Sequence, residues 1–63
     1  MQIKFKTENA AFGVDEEDAD ARHLIKISES KRILEKIIFD IFSGKNEGSI
    51  IDINGNKIGQ WKL

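Results

Sequence analysis

The stretch ILEKIIFDIFSG, residues 33–44, carries the strongest secondary-structure signal in this sequence, because its apolar residues recur at helical spacing. It predicts a helix over residues 29–43, with Ser28 or Ser30 as N-cap and Gly44 just beyond the C-terminus. Phe39 falls among the polar residues of this helix. The apolar side covers about half of the circumference at about 100° per residue, and it consists of Ile33, Leu34, Ile37, Ile38, Ile41 and Phe42.

The stretch after the helix, SIIDINGNKIGQWKL at residues 49–63, predicts a β-hairpin. Its Asn54-Gly55 pair favours a two-residue type I′ turn, in which both central residues need a positive φ. That turn pairs Ile50 with Gly59, Ile51 with Ile58 and Asp52 with Lys57. One face then holds Ile50, Trp61 and Leu63, whereas the face expected to pack against the helix holds Ile51, Ile53 and Ile58.

The N-terminal half is less regular. Residues 2–7, QIKFKT, alternate as a half-buried strand, and the lysines on the outer face suit a sheet edge. Residues 8–20 are predicted as a loop that runs into a helical turn at 17–22. Residues 21–27, ARHLIKI, fit a strand or a helix turn, and we interpret them as extended because they are rich in β-branched residues.

These elements predict one α+β domain over residues 1–63, in which an amphipathic helix packs on a small antiparallel sheet that ends in a β-hairpin. The order is β-α-β-β, or β-β-α-β-β if residues 22–27 form a strand. The predicted core consists of Ile3, Phe5, Ile33, Leu34, Ile37, Ile41, Ile51, Ile53 and Ile58.

Size and composition narrow the function classes. A chain of 63 residues buries only about 60% of its unfolded surface, and this one has no cysteine for disulfides. Self-association or docking on a partner would supply the missing burial. The net charge of −1 does not indicate nucleic acid or a membrane as a partner. Without a long apolar run or an apolar signal core, we expect a cytoplasmic protein.

Several segments resemble one family. They are IKFKTENAAF at 3–12, RIL at 32–34, Gly44, Gly48 and DINGNKIG at 52–59. Together they resemble a family of small uncharacterised bacteriophage and prophage proteins that end in a D-[IV]-N-G-N-x-[IV]-G motif. The resemblance implies a phage origin and a β-α-β-β core, and it brings no activity. Residues 13–30 lie outside it, and similar proteins are small or polar where this one has Ile38, Phe39 and Phe42.

No spacing indicates a catalytic or cofactor site. Asp52, Asn54 and Asn56 match the first ligands of a calcium loop, but Lys57 occupies the position where such loops have glycine. His23, the only histidine, lacks a recognisable nucleophile or orienting partner. We therefore expect no enzymatic activity, no cofactor and no metal.

Two features indicate a surface that binds another protein. Phe39 and Trp61 are aromatic residues outside the predicted core, and aromatics are enriched at interface hot spots. The alternatives are an isolated exposed side chain for Phe39 and a cap on the core for Trp61. The second feature is a run of carboxylates that could imitate a phosphate backbone in a basic groove, or could be a solvated loop. It comprises Asp15, Glu16, Glu17, Asp18 and Asp20.

With the phage resemblance, these features predict a non-enzymatic interaction module. It would inhibit a host protein, such as a nucleic-acid-dependent defence system of the CRISPR-Cas type, by binding and occlusion in an infected or lysogenic bacterium. Alternatively, a homodimer would bury the apolar surface that one copy leaves exposed. The alternative function is direct nucleic-acid binding through Lys4 and Lys6 on the first strand, against which the interleaved acidic residues argue.

Overall fold

The computed structural model describes residues 1–63 and confirms the α+β class. Its elements are β1 (Gln2–Phe5), a 3₁₀ helix (Ala10–Phe12), α1 (Ala19–Phe42), β2 (Glu47–Ile51) and β3 (Lys57–Lys62). The strands form one antiparallel sheet in the order β1-β3-β2. β1 is therefore an edge strand, as its outward lysines predict.

The helix begins at Ala19, so the extended interpretation of residues 22–27 is wrong and the order is β-α-β-β. Asp18 is the N-cap, because its carboxylate accepts hydrogen bonds from the backbone N–H groups of Asp20 (2.9 Å) and Ala21 (3.4 Å). No glycine or proline follows until residue 44, so nothing interrupts the helix through residues 22–27. The predicted cap residues Ser28 and Ser30 lie inside it.

The predicted end of the helix is confirmed to within one residue. The last helical residue is Phe42, and Gly44 follows with φ 97° in the left-handed region. The whole helix has 24 residues and is about 36 Å long at 1.5 Å per residue. It therefore extends along most of the 40 Å length of the molecule.

The predicted type I′ turn of the hairpin is wrong, because Asn54 does not have a positive φ. The loop has three residues, 53–55. The backbone N–H of Gly55 donates to the carbonyl of Asp52 (3.0 Å), and that of Asp52 donates to the carbonyl of Asn56 (2.9 Å). Gly55, with φ 85°, occupies the left-handed position of this longer turn. The extra residue changes the predicted pairing: Ile50 remains opposite Gly59, but Ile51 lies opposite Lys57.

The core lies between α1 and the sheet face of Ile50 and Trp61, which is the opposite face from the one predicted. Trp61 removes more apolar surface from water than an isoleucine can, and Gly48 leaves room for its indole. A Cβ at Gly48 would lie 2.7 Å from the Trp61 Nε1 atom. The buried apolar residues are Phe12, Ile33, Ile37, Ile50 and Trp61.

The predicted core is thus confirmed only in part. Besides Ile33 and Ile37, which are buried, the predicted residues Phe5, Ile41 and Ile58 are half-buried against the core. Four others are exposed: Ile3, Leu34, Ile51 and Ile53.

Phe12 belongs to the core although its segment was predicted to be a loop. Asn9 caps the 3₁₀ helix by accepting a hydrogen bond from the backbone N–H of Ala11 at 3.1 Å. This turn directs Phe12 inward, where its ring stacks on Phe5 with 6.2 Å between ring centroids. The segment between β1 and α1 therefore supplies a side chain that closes the core.

Candidate functional site

The buried carboxylate of Asp52 organises the hairpin turn. Its Oδ1 accepts hydrogen bonds from the backbone N–H groups of Asn54 and Asn56, both at 2.9 Å. Its Oδ2 accepts from the side-chain amide of Asn9 at 2.8 Å, which ties the turn to the segment after β1. Only 3% of Asp52 is exposed. The calcium-loop residues therefore form a hydrogen-bonded turn around this carboxylate.

We expect Asp52 to make the fold sensitive to acid. Its pKa lies below the ordinary value of 3.8, chiefly because the backbone N–H of Asn56 donates to the ionised carboxylate, although burial opposes this. A pKa lowered on folding adds stability that is complete above the unfolded-state value and is lost as the pH falls through the folded-state value. Melting temperature should therefore fall with pH below about 4 less steeply in Asp52→Asn than in wild type.

Asp15→Asn is the matched control, because Asp15 is exposed and its carboxylate makes no hydrogen bond in the turn. It should follow the wild-type profile, and the comparison is made by thermal melts from about pH 6 to about pH 2. Equal slopes for all three proteins would show that the Asp52 contacts do not stabilise the fold.

Two further carboxylates, those of Glu29 and Asp40 on α1, are buried, which the apolar pattern of the helix does not predict. Asp40 accepts a hydrogen bond from Lys36 Nζ at 2.6 Å, and Lys45 lies 3.7 Å away. The Lys36 hydrogen bond is the main reason why the pKa of Asp40 is below its ordinary value. Glu29 pairs with Arg32 and accepts from the backbone N–H of Ile53 at 3.1 Å. Lys36 and Arg32 lie within about one helical turn of these acids, so the ion pairs are local. The burial of Asp40 and Glu29, however, results from the packing of the hairpin on α1.

These buried acids do not converge on a common point. Each carboxylate accepts hydrogen bonds from donors that lie next to it. No group of three or more His, Cys, Asp or Glu side chains could hold a metal ion. His23 is exposed on α1.

The acidic segment, residues 15–20, lies at the N-terminal end of α1 with all its carboxylates exposed. Part of its charge has a structural role, because Asp18 caps the helix and Asp20 lies in the first turn. Acidic residues there interact favourably with the helix dipole. The carboxylate of Glu16 accepts a hydrogen bond from the backbone N–H of Asp18 at 3.3 Å. Asp15 and Glu17 are exposed in the loop before the helix.

Phe39 lies where the helical phase predicts it, with 66% of its surface exposed. The Lys36 ammonium is 5.6 Å from the centre of its ring, which places a charge over an aromatic face. About 20 residues of helix separate Phe39 from the acidic segment, a distance of about 30 Å. The structure therefore does not bring these two predicted contact features together.

Trp61 does not lie on the surface. Only 2% of it is exposed, and it occupies the centre of the core in β3. Its Nε1 is the one buried side-chain polar atom without a hydrogen-bond partner. We therefore do not retain Trp61 among the residues proposed to contact a partner.

The structure reveals an apolar surface that the sequence analysis missed, which we call the outer strip. It runs along α1, away from the buried Ile33 and Ile37. Its residues follow alternating spacings of three and four, and they are Leu24, Ile27, Lys31, Leu34 and Ile38. The three-four spacing of these residues is present in the sequence, but it is recognisable as one helical strip only if residues 22–27 are helical.

The sheet face turned away from α1 has the opposite character. Four lysines and one glutamate border a shallow concave surface there, at Lys4, Lys6, Lys57, Lys62 and Glu47. No other element of the chain covers this face. Lys4 of β1 and Lys6 just after it are thus joined by Lys57 and Lys62, the first and last residues of β3.

Comparison of the chain with family models, curated proteins and solved structures gives no significant match. Among its helices, none combines the length and the apolar character needed to cross a membrane.

Proposed function

We propose that this chain is a non-enzymatic protein-interaction module that acts by binding and occlusion. The supporting observation is the amount of large apolar surface left exposed on a single helix. The large apolar residues of α1 that are exposed by 50% or more are Leu24, Ile27, Ile38, Phe39 and Phe42. Extensive exposed apolar surface commonly marks a protein contact site.

We further propose that the chain is phage-encoded and that its partner is a host protein in the bacterial cytoplasm, such as a component of a CRISPR-Cas-type defence system. The resemblance of its terminal segments to phage proteins supports this proposal, as does the exposed acidic segment. Carboxylates complement a basic groove that normally holds nucleic acid. A groove that contacts both the acidic segment and Phe39 would be about 30 Å long, which corresponds to about nine base pairs of duplex.

Replacing Phe39 with glutamate should weaken partner binding while leaving the protein folded, because this side chain is mostly exposed. A central aromatic anchor contributes about 2 kcal/mol or more, or about a 30-fold change in dissociation constant. The tagged chain is first used to capture proteins from host lysate at low salt. The affinity of the captured protein is then measured for wild type and Phe39→Glu.

The matched control is Ile53→Glu, because Ile53 is similarly exposed (69%) but lies in the hairpin turn. It should bind like wild type. Recovery of no protein by the wild-type chain would contradict the proposed function. Equal affinity of Phe39→Glu and wild type would remove Phe39 as the anchor.

Direct nucleic-acid binding is the second candidate, and the lysines on the uncovered sheet face favour it. Phosphate contacts by these lysines would make binding fall with rising salt. An electrophoretic titration at low salt, with Lys4→Gln and Lys62→Gln as comparisons, discriminates between the two functions. A flat titration would eliminate this candidate without affecting the first.

A further inference from the structure

The outer strip has the pattern of a helix-pairing seam. Leu24, Ile27, Leu34 and Ile38 are 64%, 50%, 42% and 61% exposed, respectively, and Lys31 lies between the two apolar pairs. A three-four alternation keeps one narrow side of a helix facing a second helix. At about 100° per residue, the strip lies about 120° around α1 from the buried Ile33 and Ile37. The core-forming side and the strip are therefore separate surfaces.

The strip also extends beyond the part of α1 that the sheet supports. All buried residues of the helix lie between Glu29 and Asp40. The first ten residues, 19–28, contain none, so Leu24 and Ile27 lie on a stretch of helix that contributes little to the core. A partner along the strip would bury these side chains without disturbing the sheet.

We propose that the outer strip binds a second copy of this chain, with the two α1 helices antiparallel about a two-fold axis. The homodimer goes beyond the proposed host contact, because it assigns three of the exposed apolar residues of α1, Leu24, Ile27 and Ile38, to a second copy. Phe39 lies on a different side of the helix and remains available to the host protein. Residues whose numbers sum to 65 would then lie at the same level. Ile27 would lie opposite Ile38 of the second copy, and Lys31 would lie opposite Leu34.

Charge complementarity selects the antiparallel direction. A parallel pair in register would place the two Lys31 ammonium groups at the same level in the seam, where like charges repel. In the antiparallel pair, Glu35 of the second copy lies one residue, about 1.5 Å along the axis, from the level of Lys31. Lys31 and Glu35 are already 3.7 Å apart within one chain and are mostly exposed, so both are free to exchange partners.

The order of residues along the outer strip favours a second copy of this chain as its partner. An antiparallel two-fold pair requires a self-complementary strip, in which residue i contacts residue j and j contacts i. This strip has apolar residues at both ends and Lys31 at its centre, with Glu35 beside it on α1, so it meets that requirement. Each sheet packs on another side of its own helix, which leaves the two helices free to approach to about 8–10 Å.

Light scattering over a concentration series tests the proposal on the full chain. Wild type should approach twice the monomer mass, and Ile38→Glu should raise the dimer dissociation constant by about a hundredfold or more, since each dimer loses two seam residues. Leu24→Glu is a second disrupting variant, on the helix segment that has no buried residue. Phe39→Glu is the matched control and should remain dimeric.

A charge exchange tests the direction of the helices. Lys31→Glu should weaken the dimer, and the double variant Lys31→Glu/Glu35→Lys should restore it, because the opposite pair is re-formed across the seam. Circular dichroism confirms that each variant stays folded.

Wild type that is monomeric up to about millimolar concentration, where even weak pairs associate, would overturn the dimer while leaving the host-contact proposal standing. So would an oligomer larger than two, or a dimer that Ile38→Glu and Leu24→Glu leave intact. Capture of a host protein through the strip by a monomeric chain would replace the second copy with that protein.

Discussion

Trp61→Ala is expected to leave the chain largely unfolded. Trp61 is one of the most fully buried side chains of the molecule, and it joins β3 to the buried face of α1. Removing a core tryptophan typically costs about 3–5 kcal/mol. A single core in a domain of this size rarely supplies more than about 3–5 kcal/mol. The loss therefore equals the whole stability, and far-UV circular dichroism with urea titration should show it.

Trp61→Phe is the informative control. It keeps an aromatic ring in the core, and it removes the Nε1–H that lacks an acceptor. Removing this unsatisfied donor offsets part of the stability that is lost with the smaller side chain. We expect a folded protein with a lower urea midpoint. An unchanged midpoint in Trp61→Ala would place this residue outside the core and return it to the candidate contact surface.

Gly59→Ala should have the second largest effect, because β1 passes directly over this residue. Gly59 pairs with Phe5, and an added Cβ would overlap the carbonyl oxygen of Lys4 and lie 2.6 Å from the Cα of Phe5. The obstructing atoms include backbone, so a side-chain rotation cannot relieve the clash. Overpacking typically costs about 1–3 kcal/mol, and we expect about 3 kcal/mol or more here.

The specific expectation for Gly59→Ala is that β1 separates from the sheet. Hydrogen exchange measured residue by residue should show lost protection of the β1 amides, alone or together with global unfolding. Gln60→Ala is the control, since the adjacent side chain is exposed on the same strand and its truncation should have little effect. Full protection of β1 in Gly59→Ala would contradict the close approach seen in the structure.

The helix shows where local sequence was sufficient and where it was not. Its C-terminal half and end were predictable, because apolar periodicity and Gly44 agree there. Its beginning was not, because Asp18 is one of five closely spaced carboxylates and nothing local distinguishes the cap from its neighbours. That misplaced start also concealed the outer strip, since Leu24 and Ile27 join Leu34 and Ile38 only on one continuous helix. By contrast, the exposure of Phe39 followed from the helical phase alone.

The hairpin is the second element for which local sequence predicted only part of the structure. Local residues predicted that a turn occurs at Asn54-Gly55, but not that it has three residues, with Asp52 accepting from Asn54 and Asn56. Asn9, which is 43 residues away, also donates to this carboxylate. The choice of the buried face depends on Trp61 finding space above Gly48, a contact between different strands.

By itself, the sequence determined the α+β class, the edge position of β1, the end of α1 and the exposed position of Phe39. These features depend on periodicity, turn residues and edge charges, which act within a few residues. Only the tertiary structure decided which hairpin face is buried, that Trp61 belongs to the core, and that Glu29, Asp40 and Asp52 lie inside. The reason is that burial is a property of pairs of surfaces: a side chain is buried only when a neighbouring element has the shape, and the donors, to receive it.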